Sequence, residues 1–152
     1  MLRLRPDDLT SPETLALIDE HVAEMRATSP AESCHVQAAD ELAVPGTTLY
    51  TAWDGGQLVA MGAIKRLDAQ RGELKSMRTV EARRGTGAGR AMLRGLIDAA
   101  REAGYRSLWL ETGVEDLFVP ARALYESEGF VRCQPFGSYT DDPLSVFYTL
   151  RL

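Results

Sequence analysis

The apolar residues of this chain recur at strand-like spacing in some stretches and at helix-like spacing in others. Residues 2–5 alternate as a short strand that Pro6 ends. An amphipathic helix follows over residues 11–27, with apolar positions three and four residues apart. The pattern is lost over residues 28–46, apart from a short helix near 38–42. A connection of this length is typical of a binding segment or lid.

The middle of the chain predicts a three-stranded antiparallel meander followed by a crossover helix. Its strands cover residues 47–53, 58–67 and 73–80, and short turn sequences join them. A glycine-rich turn then leads into a helix that stops at Gly104. The next apolar stretch, residues 107–111, is expected to return parallel to the third strand of the meander.

The last third of the chain predicts one more helix and two closing strands. The helix covers residues 118–129, with proline near its start and glycine at its stop. The strands cover residues 130–133 and 145–152. The linking segment between them is rich in turn-forming residues. Its Tyr139 and Asp141 are candidates for substrate contact, and a plain surface loop is the alternative.

The turn between the third meander strand and the crossover helix combines glycine with arginine. Its glycines are Gly85, Gly87 and Gly89, and its arginines are Arg83, Arg84 and Arg90. Glycine lets backbone N–H groups close around an anion at a helix N-terminus, which carries partial positive charge. Arginines do not help a helix start to fold, so we interpret this turn as an anion site.

The spacing within the turn narrows the kind of anion. A P-loop would need Gly-Lys-Ser/Thr, and no such tripeptide follows. A dinucleotide fingerprint counted from Gly85 would need glycine at the position of Arg90. A nucleotide-dependent oxidoreductase is therefore disfavoured.

Two motifs carry a resemblance to a known family. The turn reads Arg84-x-x-Gly87-x-Gly89 after a strand with Met77-x-Thr79. It resembles the acyl-CoA pyrophosphate loop of the GCN5-related N-acetyltransferase (GNAT) family. A second motif, Ala121-x-x-x-Tyr125-x-x-x-Gly129-Phe130, resembles the late helix of that family, where a tyrosine points toward the CoA sulfur. Glu81 departs from the family pattern, in which many members have proline after the strand.

The resemblance implies the fold and the cofactor site. The expected fold is α+β, a mixed and mostly antiparallel central sheet with helices on both faces, in one domain over residues 1–152. The expected cosubstrate is acetyl-CoA, with no metal. Its pantetheine arm would contact the main chain of Met77 and Thr79. Its pyrophosphate would lie in a loop made of Arg84, Gly85, Thr86, Gly87, Ala88, Gly89 and Arg90.

The resemblance also implies a reaction: direct attack of an acceptor amine on the thioester, in a ternary complex. A backbone N–H near Met77 would stabilise the developing negative charge. Tyr125 is the expected general acid, with an ordinary pKa of about 10. Family members differ in the position of the base. From the sequence, Glu111 is preferred over Glu73, although proximity alone can supply much of the rate.

Alternatives remain open for the acceptor and for turnover. A small-molecule amine is the first interpretation, and a protein N-terminus or lysine is its main competitor. A CoA-binding regulatory domain without turnover is the alternative from another class. His35 is favoured as a solvated loop residue over a substrate contact, and His21 as a surface or boundary residue.

Composition limits the partners and the compartment. The chain has 152 residues and a formal net charge of −5, which disfavours general binding of nucleic acid. It has no apolar run near the roughly 20 residues of a membrane span and no signal-peptide pattern, so cytoplasm is expected. Cys34 and Cys133 are expected to be reduced thiols. The segment 135–143 resembles bacterial family members. Since dimers are common in the family, a homodimer is left open.

Overall fold

The computed structural model of the chain describes residues 2–152 and consists of one seven-stranded sheet with helices on both faces. The strands are β1 (Leu2–Pro6), β2 (Thr47–Asp54), β3 (Gln57–Arg66), β4 (Arg71–Thr79), β5 (Ser107–Gly113), β6 (Val131–Cys133) and β7 (Ser145–Arg151). The helices are α1 (Pro12–Thr28), α2 (Ala39–Leu42), α3 (Ala88–Glu102) and α4 (Val119–Ser127). Short 3-10 turns precede α2, α3 and α4.

The strand order is β1-β2-β3-β4-β5-β7-β6. Strands β4 and β5 pair in parallel, and every other neighbouring pair is antiparallel. This is the mixed and mostly antiparallel sheet that the sequence predicts. The parallel return of β5 beside β4, after the crossover helix α3, is also confirmed.

Each face of the sheet has its own apolar layer. On one face, α3 and α4 pack against the sheet through Met92, Leu93, Leu96, Ile97 and Tyr125. On the other face, α1 and α2 pack through Leu17, Ile18, Val22 and Leu42. Helix α1 begins as predicted, with Ser11 Oγ accepting a hydrogen bond from the Thr14 backbone N–H at 3.1 Å and Pro12 in the first turn.

The sheet opens in its middle, between β4 and β5. The parallel register runs from Arg71 opposite Ser107 to Leu74 opposite Leu110, and it stops there although both strands continue. On its other edge β4 remains paired to β3 as far as Thr79. The backbone of β4 beyond Leu74 therefore has no strand partner on the β5 side, and a gap opens that reaches both faces of the sheet.

The fold settles two sequence expectations, on His21 and on the cysteines. The prediction of a surface or boundary position is wrong for His21, which α1 packs against β4 and which is only 9% exposed. Cys34 and Cys133 are free thiols, as predicted. Within residues 2–152, no helix combines the length and the apolar character needed to cross a bilayer.

Candidate active site

A cavity of about 990 Å³ occupies the gap between β4 and β5. Its walls come from both faces of the sheet. On the α3/α4 face they include Gly87, Gly89, Ala121 and Tyr125, and on the α1/α2 face they include His21, Met25, His35 and Tyr139. The cavity therefore has two sides that are built by different elements. We call them the donor side (α3 and α4) and the acceptor side (α1, the segment 29–36 and the β6–β7 loop).

The donor side contains the N-terminus of α3. Gly87 is the N-cap residue, with a left-handed φ of 87°, and no side chain caps the helix. Gly85 is also left-handed, with a φ of 75°. The first backbone N–H groups of α3 therefore lack a side-chain acceptor, and a helix end of this kind binds anions. Gly89 lies close to β4, since a Cβ atom at this position would come within 3.3 Å of Thr79 Oγ1.

The arginines of the turn differ in what they bind. Arg83 pairs with Asp54 at 3.1 Å, and Arg90 pairs with Glu128 at 2.5 Å. Arg84, the third of these arginines, forms no ion pair within residues 2–152 and lines the cavity. An external anion is therefore not needed to account for Arg83, which pairs with Asp54. Glu128 also pairs with Arg94, so its single negative charge is shared by two arginines and compensates Arg90 only in part. The interpretation as an anion site stays a prediction for Arg84 and Arg90.

Most of the predicted cofactor residues line the cavity: Met77, Thr79, Arg84, Gly85, Gly87, Gly89 and Arg90. Two do not belong to its lining. The Thr86 hydroxyl donates to the Arg83 carbonyl and stabilises the turn from within. Ala88 is the first residue of α3, and its side chain is buried in the core. The role of these residues in cofactor binding stays a prediction. For Ala88 that role would fall to the backbone N–H.

Strand β4 carries a bulge at the cavity. Ala63 pairs with Lys75 and Met61 with Arg78, so Ser76 and Met77 together lie opposite Gly62. Ser76 has a φ of 55°, which is unfavourable for a residue with a Cβ atom. The bulge shifts the alternation of the strand just past the point where pairing to β5 ends. Strained backbone at this position is consistent with the predicted N–H donor near Met77.

Tyr125 reaches the cavity from α4. Its ring packs against Phe130 and Tyr148, with centroids 5.7 Å and 6.3 Å away, and 7% of the residue is exposed. Within residues 2–152 the Tyr125 hydroxyl has no hydrogen-bond partner. Burial raises the pKa of Tyr125 well above its usual value, and the nearby Glu111 carboxyl adds to the shift. The side chain is therefore a protonated donor at any physiological pH.

Glu111 enters the cavity from the end of β5. Burial raises the pKa of its carboxyl to about 7. The negative charges of Glu73 and Asp142 raise the pKa further, while the ammonium of Lys75 lowers it. A carboxyl that titrates near neutrality is suited to accept a proton from an amine. Tyr125 and Glu111 thus line the same cavity, and their catalytic roles stay a prediction.

Glu73 has a different environment from Glu111. The Tyr139 hydroxyl donates to Glu73 Oε2 at 2.5 Å, and Lys75 Nζ lies 2.9 Å from the Tyr139 oxygen and 3.4 Å from Glu73 Oε2. Glu73 and Lys75 are both nearly buried, at 3% and 10% exposed. Because Glu73 is already paired, Glu111 is the better candidate for a base. We call this group of three side chains the Glu73–Lys75–Tyr139 cluster.

The acceptor side is closed by hydrogen bonds between distant segments. Ser33 donates to Asp142 at 2.6 Å, and Ser29 donates to Glu115 at 3.2 Å. These bonds hold the segment 29–36 against the loops that follow β5 and β6. The His35 ring meets Tyr139 edge-on, with centroids 4.9 Å apart. His35 is exposed, as favoured from the sequence, and its ring also lines the cavity.

Sequence reasoning identified part of the acceptor side. Tyr139 lines the cavity, whereas Asp141 is exposed and does not. It missed Lys75 and Arg78. Arg78 is nearly buried and binds Glu20 at 3.1 Å and Glu24 at 3.2 Å, so it attaches β4 to α1. A signal for Lys75 was present, because it follows Glu73 by two residues in a strand and so lies on the same face.

A family model described as the Acetyltransferase (GNAT) family matches residues 14–130, which contain the donor side, Glu111 and Tyr125. The chain is 42% identical to the N-acetyltransferase YsnE of Bacillus subtilis, itself uncharacterized, over 99% of this chain and all of the relative. This chain belongs to the GNAT family. The GNAT assignment, the fold class and the enzyme class of N-acetyltransferase are thereby confirmed.

Solved structures support the same fold. A Klebsiella pneumoniae structure assigned to the acyl-CoA N-acyltransferases superposes with a TM-score of 0.79 at 27% identity, covering 100% of this chain and 98% of that one. An acetyltransferase of Bacillus subtilis in complex with CoA superposes with a TM-score of 0.74 at 18% identity, covering 100% and 99%. The single-domain organisation, the cytoplasmic location, the lack of a metal and the dimer stay predictions for this GNAT protein.

Proposed function

We propose that the protein transfers an acetyl group from acetyl-CoA to the primary amine of a small molecule, by direct attack in a ternary complex. One observation carries the proposal. An uncapped helix N-terminus and Arg84, which forms no ion pair within residues 2–152, open into the same cavity as a buried tyrosine and a carboxyl that titrates near pH 7. These are the groups needed to hold an anionic acyl carrier and to move a proton beside it.

The donor side fits acetyl-CoA. The backbone N–H groups at the start of α3 and the guanidinium of Arg84 would hold the pyrophosphate. The unpaired edge of β4 at Met77 and Thr79 offers main-chain groups to the pantetheine amides, as a further strand would use them. When bound, acetyl-CoA supplies the acetyl group as a thioester, which is activated toward amines.

On the acceptor side, Glu111 accepts the proton that the attacking nitrogen loses as the C–N bond forms. The Met77 N–H donates to the carbonyl oxygen, where negative charge develops.

Tyr125 donates a hydrogen bond to the sulfur as the C–S bond breaks. The raised pKa of Tyr125 keeps its proton in place, and it also makes complete transfer of that proton to a thiolate unfavourable, since the reference pKa of a thiol is about 8.5. We therefore narrow the predicted general-acid role to that of a hydrogen-bond donor. The thiolate takes its proton from solvent on release.

A thermal-shift titration with acetyl-CoA, CoA and NAD tests the donor side. Binding to the folded state raises the melting temperature by mass action, so we expect a rise with both CoA species and none with NAD. A rise with NAD, or with none of the three, would contradict the assignment of the glycine turn.

The variant Gly87→Asp places a carboxylate in the proposed pyrophosphate cradle. Aspartate is a good N-cap residue and tolerates left-handed backbone better than most, so the fold is expected to survive. Charge repulsion is expected to weaken acetyl-CoA binding at least tenfold by calorimetry. The matched control is Gly56→Asp in the exposed β2–β3 turn, where an added Cβ meets no neighbour within 4 Å. Equal loss in both variants would point to misfolding.

Turnover separates an enzyme from a CoA-binding regulator. Thiol release from acetyl-CoA is measured with a panel of small amines and with peptide N-termini. Release with small amines supports the proposal. Binding without release for any acceptor would favour the regulatory alternative, and release with peptides alone would favour a protein substrate.

A further inference from the structure

The acceptor side carries a buried cation that the transfer reaction does not use. Lys75 points its ammonium at the Tyr139 oxygen, 2.9 Å away, and more distantly at Glu73, 3.4 Å away. The Tyr139 hydroxyl donates its single proton in the hydrogen bond to Glu73. An ammonium has three N–H donors, and within residues 2–152 the third has no acceptor.

Lys75 is fixed in place by its neighbours. Tyr139 is itself held by the edge-on contact of His35 and by Phe136, whose ring centroid is 5.2 Å away. The ammonium also lies 5.6 Å from the centroid of the Tyr139 ring. A long lysine side chain normally keeps its head in water, so a lysine that is 10% exposed at a cavity wall has already lost most of its freedom and hydration.

The charges of the acceptor side are unevenly matched. Arg78 is neutralised by Glu20 and Glu24, and Asp142 is bound by Ser33. Glu73 is matched by Tyr139 and Lys75. Glu111 remains as the carboxyl available to an amine, and it lies close enough to Lys75 to be affected by its charge. The cavity therefore offers a ligand the carboxyl of Glu111 and the remaining N–H of the Lys75 ammonium, whose charge is shared with Glu73.

From this arrangement we propose that the acceptor is an amine that also carries a carboxylate, an amino acid-like zwitterion, and that Lys75 binds the carboxylate while the amine lies at Glu111. The inference rests on the proposed acetyl transfer and names its substrate class. A diamine would place its second ammonium against Lys75 and is repelled. The same amine without its carboxylate leaves the Lys75 N–H without an acceptor in a buried site, which weakens binding.

The experiment compares acceptors in pairs that differ only by the carboxylate: amino acids against the amines formed by their decarboxylation, with a diamine series beside them. Thiol release gives kcat/KM for each. We expect the carboxylated member of at least one pair to be preferred tenfold or more, as expected for a charge-assisted hydrogen bond in a buried site, and diamines to be poor acceptors. Preference for the decarboxylated amine, or for diamines, overturns the inference.

Lys75→Met tests which residue causes the preference. The substitution keeps an unbranched side chain one atom shorter than lysine and removes the charge. The ratio of kcat/KM between acid and amine is expected to fall at least tenfold, and Lys75→Arg is expected to restore part of it. Lys65→Met is the matched control, because Lys65 is the only other lysine of the chain and does not line the cavity. An unchanged ratio in Lys75→Met overturns the role of Lys75.

The failure of this inference is distinguishable from that of the proposed function. No turnover with any acid–amine pair, together with a thermal shift by acetyl-CoA and turnover of other amines, removes the zwitterion class and leaves acetyl transfer intact. No thermal shift with acetyl-CoA removes both. If Lys75→Met does not fold, the comparison of pairs in the unmodified protein still decides the substrate class.

Discussion

Glu111 shows how burial prepares a carboxyl group for proton transfer. With a pKa of about 7, it holds its proton in the acidic range and accepts one only as the pH rises past neutrality. We therefore expect kcat/KM to increase with pH along a limb of apparent pKa near 7. In Glu111→Gln that limb is expected to disappear and kcat to fall by about 10²-fold. A pH–rate profile that keeps its limb in the variant would assign the base elsewhere.

The raised pKa of Glu111 also makes the stability of the folded protein depend on pH. The folded protein holds the Glu111 proton more tightly than the unfolded chain, whose glutamate pKa is 4.5. Stability from this group is therefore present below pH 4.5 and is lost as the pH rises to about 7, by at most roughly 3 kcal/mol. Relative to the unmodified protein, Glu111→Gln is expected to gain stability between pH 5 and pH 8 in urea denaturation. The reverse trend would mean that the carboxylate is stabilised when charged.

Removal of the Tyr125 hydroxyl oxygen alone tests the chemical role of this residue separately from its packing role. Tyr125→Phe keeps the ring contacts with Phe130 and Tyr148, so the melting temperature and the affinity for acetyl-CoA are expected to change little. Loss of the hydroxyl removes the donor to the departing sulfur, and kcat is expected to fall by about 10- to 100-fold. An unchanged kcat, measured under saturating substrates, would show that the tyrosine serves packing alone.

At the scale of the element, the bulge of β4 depends on Gly62 of the neighbouring strand β3. The bulge at Ser76 and Met77 faces Gly62 on β3, where an added Cβ atom would come within 2.6 Å of Leu96 Cδ1 and 2.8 Å of Met77 Sδ. Gly62→Ala therefore displaces the side chain of Met77 and one contact of α3. We expect a loss of about 1–3 kcal/mol in the free energy of unfolding.

The position of Gly62 adds a functional effect to that loss. Because Met77 lies beside the proposed carbonyl site, the affinity of Gly62→Ala for acetyl-CoA is expected to fall beyond what stability explains. The control is Gly95→Ala on α3, where a Cβ atom would come within 2.4 Å of Leu4 Cδ2, far from the cavity lining. Similar affinity in the two folded variants would show that the bulge tolerates the change.

At the scale of the whole molecule, the sequence predicted what local patterns determine. Alternation marked the first and last strands, turn sequences separated the strands of the meander, and the crossover helix α3 predicted that β5 returns parallel to β4. The glycine turn also follows from local constraints, since Gly85 and Gly87 are left-handed. These features depend on neighbours in the chain and on general rules of connection.

The remaining features of the site depend on contacts between residues that are far apart in the sequence. Tyr139 meets Glu73 across 66 residues, and Arg90 meets Glu128 across 38. A single sequence gives no signal for which carboxylate will neutralise which arginine, because many are available. For the same reason, the burial of His21 against β4 and of Lys75 behind Tyr139 could be established only from the three-dimensional arrangement.

The gap between β4 and β5 bears on how ligands reach the cavity. Because the cavity reaches both faces of the sheet, the proposed reaction would bring the acyl carrier in beside α3 and α4 and the amine in beside the segment 29–36. We therefore expect changes in the segment 29–36 and the β6–β7 loop to alter which amine binds without rebuilding the site of the acyl carrier.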